Sequence, residues 1–210
     1  MNRRNASASG QRDACRRYLG MFLVALTLAA CSTRPPLQQP SPAALQRDQL
    51  QDFVLVGRFT LRDAARSYAG RIEWHHQGER DALLLSSPLG QGIAEITGDG
   101  SGARLRSSDG GERTAASSDE LLQDVLGYPI GLGRLLAWLR GSNAEGSRLE
   151  RDALGRPLRL RHEDWRVDYE YDTDAPQALA DRLFVEREGG FVLRLRIEEW
   201  RLPSATNAAP

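Results

Sequence analysis

The sequence predicts a mainly β protein with helices, of the α+β class: a strongly curved antiparallel sheet of ten or eleven short strands covered by helices. Three observations carry this. Apolar residues alternate with polar ones through most of residues 53–202, the period of half-buried strands. Glycine-rich turns such as Gly98-Asp99-Gly100 and Asp109-Gly110-Gly111 separate these runs, as in antiparallel hairpins. The pattern turns helical in only two places, before the first strand and again between Ser117 and Gly141, which suits helices laid over one face of a sheet.

The chain begins with an address. Arg3, Arg4, Arg12, Arg16 and Arg17 precede an apolar run at residues 19–30, broken only by Gly20 and Thr27. A basic head and a short apolar body make a signal peptide, and the run is too short for a permanent membrane span. It ends in Leu28-Ala29-Ala30-Cys31, which resembles a bacterial lipobox. That resemblance implies cleavage before Cys31, a diacylglyceryl group on its thiol and an acyl group on its freed amine. The alternative is a plain secretory signal with an accidental cysteine. Composition argues against it, because after cleavage Cys31 is the only thiol left and no internal disulfide can form. Removing residues 1–30 leaves 23 basic and 27 acidic groups, a net charge of −4. Membrane attachment therefore rests on lipid and apolar insertion, with no strong attraction to anionic headgroups. Ser32 follows the cysteine where lipoproteins kept in the inner membrane commonly carry aspartate, so the resemblance implies sorting to the outer membrane.

Residues 32–40 hold three prolines and no apolar period, the composition of an extended tether. Ser41-Pro42 supplies an N-cap and a first-turn proline for a short helix over about residues 42–51. Phe53, Leu55, Gly57, Phe59 and Leu61 then share one face of a first strand, and Tyr68, Gly70, Ile72 and Trp74 repeat the pattern in a second. Further strands are predicted at 81–86, 91–97, 103–107 and, more weakly, 112–115. Ser117 and Glu120 form a capping-box pattern ahead of Leu121, Leu122, Val125 and Leu126, and Gly127 and Pro129 stop that helix. A second helix over about residues 132–140 stacks Leu132, Leu135, Leu136 and Leu139 on one side, with Trp138 beside them, and ends at Gly141. Strands return at 148–152, 157–161, 165–171, 182–187 and 191–202; in the third of these Trp165, Val167, Tyr169 and Tyr171 alternate cleanly. Residues 203–210 read as a disordered tail.

Composition excludes several classes. All 28 basic residues are arginine and 28 acidic residues balance them, so nothing points to nucleic acid. A hydrophobic share of 40% and a charged share of 27% are those of a globular protein, and 210 residues suit one domain. No apolar run long enough to span a bilayer follows the N-terminus. The outward strand positions carry arginine and glutamate, which a lipid-facing barrel wall would not.

Candidate chemistry is sparse. His75 and His76 are adjacent on a strand and point to opposite faces; with only His162 to add and no cysteine pair, no metal site is expected. Residues 98–103 loosely mimic a dinucleotide fingerprint but lead into a short alternating segment instead of a helix. There is no Gly-x-Ser-x-Gly elbow. Asp119-Glu120 and Glu198-Glu199 read as helix N-terminal charges and a solvated face. No catalytic residue, cofactor or enzyme activity is expected. Ser87-Pro88-Leu89-Gly90 fills the four positions of a type I turn. Leu89 then sits at a hairpin tip, either folded back onto the body or deliberately exposed.

Five blocks carry a resemblance over nearly the whole mature chain: Tyr68-Ala69-Gly70-Arg71-Ile72-Glu73-Trp74; Leu83-Leu84-Leu85-Ser86-Ser87-Pro88-Leu89-Gly90; Gly127-Tyr128-Pro129-Ile130 with Leu135-Leu136-Ala137-Trp138-Leu139-Arg140-Gly141; Trp165-Arg166-Val167-Asp168-Tyr169; and Leu195-Arg196-Ile197-Glu198-Glu199-Trp200. In this order and spacing they resemble the LolB family, outer-membrane lipoprotein receptors of the lipoprotein-sorting pathway in Gram-negative bacteria. Departures are small: the extension before the apolar run is long, and Ser87 stands where some members carry asparagine.

The resemblance implies an unclosed half-barrel of about 11 strands with a helical lid and an apolar cavity between them. It divides the chain into a signal peptide (1–30), a lipidated cysteine and tether (31–41), the lipid-binding half-barrel domain (42–202) and a tail (203–210). It implies that Leu89, at the tip of the protruding Pro88-Leu89-Gly90 loop, enters the outer membrane. It implies that the soluble carrier LolA delivers acylated lipoproteins, and that the receptor, facing the periplasm and anchored through Cys31, passes them to outer-membrane lipids. A monomer is expected. Because one 16-carbon chain left in water costs on the order of 12 kcal/mol, the cargo must stay shielded throughout. Without a nucleotide-binding loop the transfer would run on rising affinity, about 1.4 kcal/mol for each tenfold step.

The inward strand residues Phe53, Leu55, Phe59, Ile72, Trp74, Trp165, Val167, Tyr169, Leu193, Leu195 and Ile197 are the candidates to line the cavity. Leu122, Leu126, Leu135, Leu136 and Leu139 are the candidates to close it. For each, ordinary core packing is the alternative. Two rival functions share the sequence features: a lipid-binding sensor or structural lipoprotein that receives nothing from a carrier, and a lipid-anchored periplasmic enzyme, which lacks a catalytic constellation.

Overall fold

The computed structural model describes Arg47, residues 50–142 and residues 146–203. The signal peptide, Cys31, the tether, most of the helix expected at 42–51 and the tail from residue 204 lie outside the described residues. Arg47 is helical, whereas Leu50 and Gln51 are not.

Eleven strands form one sheet: β1 (Asp52–Arg62), β2 (Ser67–Gln77), β3 (Arg80–Ser86), β4 (Gly92–Asp99), β5 (Gly102–Ser107), β6 (Glu112–Ala115), β7 (Arg148–Arg151), β8 (Pro157–His162), β9 (Trp165–Glu170), β10 (Arg182–Arg187) and β11 (Phe191–Arg201). Between β6 and β7 come α1 (Ser118–Leu126) and α2 (Leu132–Arg140). The order across the sheet is β6-β5-β4-β3-β2-β1-β11-β10-β9-β8-β7, and every neighbouring pair is antiparallel. The sheet is unclosed. Its edges, β6 and β7, have only four residues each, and short edges offer little for another chain to pair with.

The alternation read from the sequence sets which face is buried. In β1, Phe53, Leu55, Gly57, Phe59 and Leu61 point inward, and in β11 Phe191, Leu193, Leu195 and Ile197 do the same. Outward positions carry arginine–carboxylate pairs that cross strands, such as Arg58–Glu198 at 2.8 Å and Arg166–Glu186 at 2.7 Å. Exposed pairs of this kind contribute little stability; they keep the outer face polar. Gly57 sits at a register shift between β1 and β11. A Cβ there would lie 2.5 Å from the Arg196 carbonyl oxygen, so the two backbones close at that point only around glycine.

The helices form the lid. The Ser117 side chain accepts from the Glu120 N–H to cap α1, which runs to Gly127. The lid also shows that the sheet bends. α1 packs on β4, β5 and β6 and touches α2, while Trp138 of α2 meets Trp165 of β9 at 5.1 Å. β4 and β9 are six strand spacings apart in the order, about 29 Å across a flat sheet. Two adjoining helices of nine residues each reach both because the sheet curves around them.

Candidate functional site

Three features build the site: a cavity beneath the lid, a separate recess that shares Leu126 with it and is taken as its mouth, and an exposed loop at the same end of the sheet as that recess. The cavity holds about 30 Å³ and is lined by Phe59, Leu61, Ile72, Leu85 and Leu122 with Leu126, Ile130, Leu135, Leu193 and Leu195. Every one of these side chains is hydrocarbon or phenyl, so the space has no group to hold water and suits an alkyl chain. Strand alternation places the sheet residues there, and helical spacing aims Leu122, Leu126 and Leu135 down at them.

Of the sequence candidates, Phe59, Ile72, Leu122, Leu126, Leu135, Leu193 and Leu195 line this cavity. Phe53, Leu55, Trp74, Leu139, Trp165, Val167, Tyr169 and Ile197 are buried in the surrounding core, and Leu136 packs against it half-buried; none of the nine borders the cavity. Aromatic contacts account for several of them. Phe53 meets Trp74 edge-on at 5.1 Å, and Trp138, Trp165, Phe191 and Tyr128 form a continuous chain of ring contacts between lid and sheet. Leu61, Leu85 and Ile130 line the cavity without having been singled out. Leu61 and Leu85 were readable, because each keeps its strand's inward phase; Ile130 lies in the irregular link between α1 and α2, where no period reports direction.

The mouth is a recess of about 300 Å³ lined by Arg66, Ser67, Tyr68, Val125, Leu126 and Tyr128. Leu126 borders both spaces. Arg66 comes from the β1–β2 turn, which is shaped by Asp63: its carboxylate accepts from the N–H groups of Ala65 and Arg66, both at 2.7 Å. These two bonds hold the Asp63 carboxyl below its usual pKa. Arg66 reaches over the lid, with its guanidinium 5.3 Å from the Tyr128 ring centre and a long hydrogen bond of 3.4 Å to the Gly127 carbonyl.

The loop between β3 and β4 resolves the choice left open for Leu89. The Gly90 N–H donates to the Ser87 carbonyl at 2.9 Å, and the Ser87 N–H donates to the Gln91 carbonyl at 2.8 Å. Pro88 and Leu89 are the centre of that turn, and Gly90 takes φ +88°, a left-handed conformation that glycine adopts without strain. Leu89 is 91% exposed, so it is not folded back. Ser86 pairs with Arg71 and Arg71 with Arg58, so the hairpin points past the same end of the sheet as the β1–β2 turn and the mouth.

The histidines behave as the strand period requires. His75 faces out beside Glu73 at 2.8 Å, and His76 faces in, bonded through Nδ1 to Asp81, whose same oxygen accepts from the Trp74 indole at 2.8 Å. Among the described residues no group of three or more His, Cys, Asp or Glu is placed to hold a metal, and no helix is long and apolar enough to cross a membrane. Cys31 lies outside the described residues.

The family model described as outer membrane lipoprotein LolB matches residues 51–200. The outer-membrane lipoprotein LolB of Dechloromonas aromatica (strain RCB) is 40% identical over 192 residues, covering 89% of this chain and 98% of its own. The protein of the same name from Azoarcus sp. (strain BH72) is 34% identical over 191 residues, with 89% and 97% covered. Among solved structures, a LolA superfamily protein from Nitrosomonas europaea aligns with a TM-score of 0.51 at 12% identity, over 79% of this chain and 94% of its own; at that identity the likeness is one of fold. The lidded, unclosed sheet and the matches along nearly its full length agree, and this chain belongs to the LolB family.

Proposed function

We propose that this chain is an outer-membrane receptor that accepts acylated lipoproteins from the periplasmic carrier LolA and inserts them into the outer membrane without nucleotide hydrolysis. The observation that carries this reading is Leu89: a large apolar side chain held almost fully in solvent by a tight hairpin, at the same end as the mouth of an all-apolar cavity. Lipid on Cys31 keeps the protein at the membrane.

An incoming acyl chain needs far more room than the cavity now has, since about 30 Å³ is one water molecule's share of liquid. The lid must therefore lift from the sheet to admit cargo, exchanging contacts among Leu122, Leu126, Leu135 and the strands for contacts with the chain. The surface exposed by lifting is recovered when the chain fills it. The net cost of opening is thus small beside the cost of leaving the chain in water.

Burying Leu89 in the bilayer contributes roughly 1.5–3 kcal/mol, little beside the lipid anchor. Its role is to set the mouth against the lipid surface and disturb packing there as cargo leaves. The test is a transfer assay with a carrier–lipoprotein complex, the mature chain and outer-membrane vesicles. Cargo should pass to this protein and then to vesicles, and Leu89→Glu should stall the second step alone. If cargo never leaves the carrier, the receptor reading fails and a half-barrel sensor of another acyl ligand takes its place.

A further inference from the structure

We infer that the outer face of the sheet carries a contact for anionic phospholipid headgroups: a row of four arginines, Arg71, Arg58, Arg196 and Arg182, with Arg194 beside it on the Leu89 side. This rests on the reading of Leu89 as the residue that enters the membrane, and adds the class of lipid that the same end of the domain selects.

The row follows from strand register. Arg71 in β2 stands opposite Arg58 in β1, Arg58 opposite Arg196 in β11, and Arg196 opposite Arg182 in β10. Each alternates with buried neighbours, so all four point outward. Paired positions lie roughly 5 Å apart between Cα atoms, and like charges placed directly opposite destabilise a sheet. The fold has the means to avoid this, since on the same face Arg159 stands opposite Asp168 and Arg166 opposite Glu186. In the row, arginine meets arginine three times. Glu198 reaches Arg58 at 2.8 Å and Arg71 at 3.3 Å, and Glu170 and Asp172 each reach Arg182 at 2.7 Å. Arg194 and Arg196 are exposed, and neither takes part in an ion pair among the described residues. From the row to the β1–β2 turn, the outward positions of β2, β1, β11 and β10 hold six arginines and one glutamate: the row, Arg62 and Arg194 against Glu186. Residues 31–210 as a whole carry a net charge of −4, but a bilayer feels mainly the charges within a Debye length of it, about 8 Å at physiological salt.

Position makes the partner a bilayer. Ladder pairing runs across the strands, so the four arginines stand at one height on the sheet, a line laid along a membrane that the strands approach end-on. Arg71 is opposite Ser86, and Leu89 follows Ser86 by three residues, about 10 Å along an extended chain. With Leu89 buried roughly 5–10 Å into the headgroup boundary, the row comes to the level of the phosphates. Guanidinium groups bind phosphate oxygens two at a time, and their long stems adjust the depth of the charge. The excess of positive charge favours headgroups such as phosphatidylglycerol, whose phosphate has no ammonium beside it. One apolar tip and one charged line together hold the domain against swivelling about Leu89, which keeps the mouth toward the lipid.

The test uses the mature chain with Cys31→Ser, so that no lipid anchor masks the contact, and phosphatidylcholine vesicles with and without phosphatidylglycerol. Wild type should bind the anionic vesicles more tightly, and high salt should abolish the difference. Arg194→Gln with Arg196→Gln should weaken binding to anionic vesicles about 25-fold, about fivefold for each charge, and leave binding to neutral vesicles unchanged. The melting temperature should stay equal or rise, because like charges are relieved. Arg80→Gln with Arg104→Gln removes the same charge at the other end of the sheet and should cost little. Equal losses for the two pairs, or no loss for either, overturn the row. A row variant that binds vesicles as wild type does but takes no cargo from the carrier assigns these arginines to an acidic protein surface and overturns the lipid contact. Leu89→Glu should weaken binding to both kinds of vesicle. Unchanged binding to both overturns the reading of Leu89 and this contact with it, whereas a Leu89 effect without a row effect overturns the contact alone.

Discussion

The hydroxyl of Tyr169 in β9 donates to the carbonyl oxygen of Trp138 in α2 at 2.9 Å. Both residues are buried, and burial pushes the Tyr169 phenol far above its ordinary pKa, so this donor stays protonated throughout the working range. The bond ties the last turn of the lid to the sheet. The Gly141 N–H shares the same carbonyl at 2.9 Å, so the oxygen keeps one partner if the phenol is lost. Tyr169→Phe should therefore cost about 1 kcal/mol, lowering the melting temperature by roughly 2–4 °C, and should speed amide exchange in α2 ahead of the sheet. Calorimetry and hydrogen exchange check this; uniform exchange across lid and sheet would mean that packing alone holds α2.

Filling the cavity should separate stability from function. Leu122 is buried and borders the void from the lid side. A larger apolar side chain there occupies space that now contributes no contacts. Leu122→Phe should stabilise the fold by about 0.5–2 kcal/mol and slow cargo uptake, since the lid then costs more to lift. A variant both less stable and unchanged in uptake would show that the void does not match the ring and that cargo does not enter past Leu122.

Periodicity made the fold legible because each strand buries one face. The inward phase of Phe59, Ile72 and Leu195 followed from alternation alone, and the ends of α2 from its leucines and Gly141. The cavity was only half legible for the same reason. Alternation says that Val167 and Phe59 both point inward, but whether a buried residue meets a neighbour or a void depends on where the lid crosses the sheet. The aromatic chain from Trp138 to Tyr128 packs lid against sheet, and the small void of about 30 Å³ lies among the aliphatic residues beside it. The mouth left no periodic signal, because Arg66 and Tyr128 lie in turns that meet only in three dimensions. Leu89 was legible as a tip from its turn residues, whereas its exposure needed the hairpin's hydrogen bonds.

Acid should loosen the end of the sheet opposite the mouth. The Asp152 carboxylate accepts from the N–H groups of Leu154 and Arg156 at 2.9 Å and from the Arg156 Nε at 2.7 Å. Burial pushes its pKa up, but the Arg156 and Leu154 N–H groups and the Arg156 guanidinium outweigh this and hold it below the ordinary value. A lowered folded-state pKa means that the stabilisation is present above the unfolded value of about 3.9 and is lost as pH falls through the folded one. The stability gap between wild type and Asp152→Asn should thus be full at neutral pH and shrink below about pH 4. Urea unfolding at a series of pH values reads this directly; a gap independent of pH would assign Asp152 a purely neutral hydrogen-bonding role.

That same end holds Arg47 and Leu50, and a lipid on Cys31 would set a length requirement for the residues between. The Leu50 carbonyl accepts from the Arg140 Nε and Nη2 at 3.0 and 2.6 Å, and the Arg47 guanidinium donates to the Pro176 carbonyl at 3.0 Å. The chain is thus pinned beside the start of β1, whereas Leu89 projects past its finish. Eleven residues of strand separate the two levels, about 35 Å. Fifteen residues lie between Cys31 and Arg47, with a reach of at most about 55 Å and a relaxed coil size of about 22 Å. If Cys31 carries lipid, its sharing one bilayer with Leu89 requires residues 32–46 to span more than their relaxed coil size. Deleting residues 33–40 keeps Ser32 and cuts the reach to about 28 Å, too short for both to insert. The lipidated deletion variant should stay anchored but release cargo as slowly as Leu89→Glu, while the same deletion in a Cys31→Ser chain should leave release unchanged. Wild-type release by the lipidated variant would mean that the Leu89 end does not face the membrane during transfer.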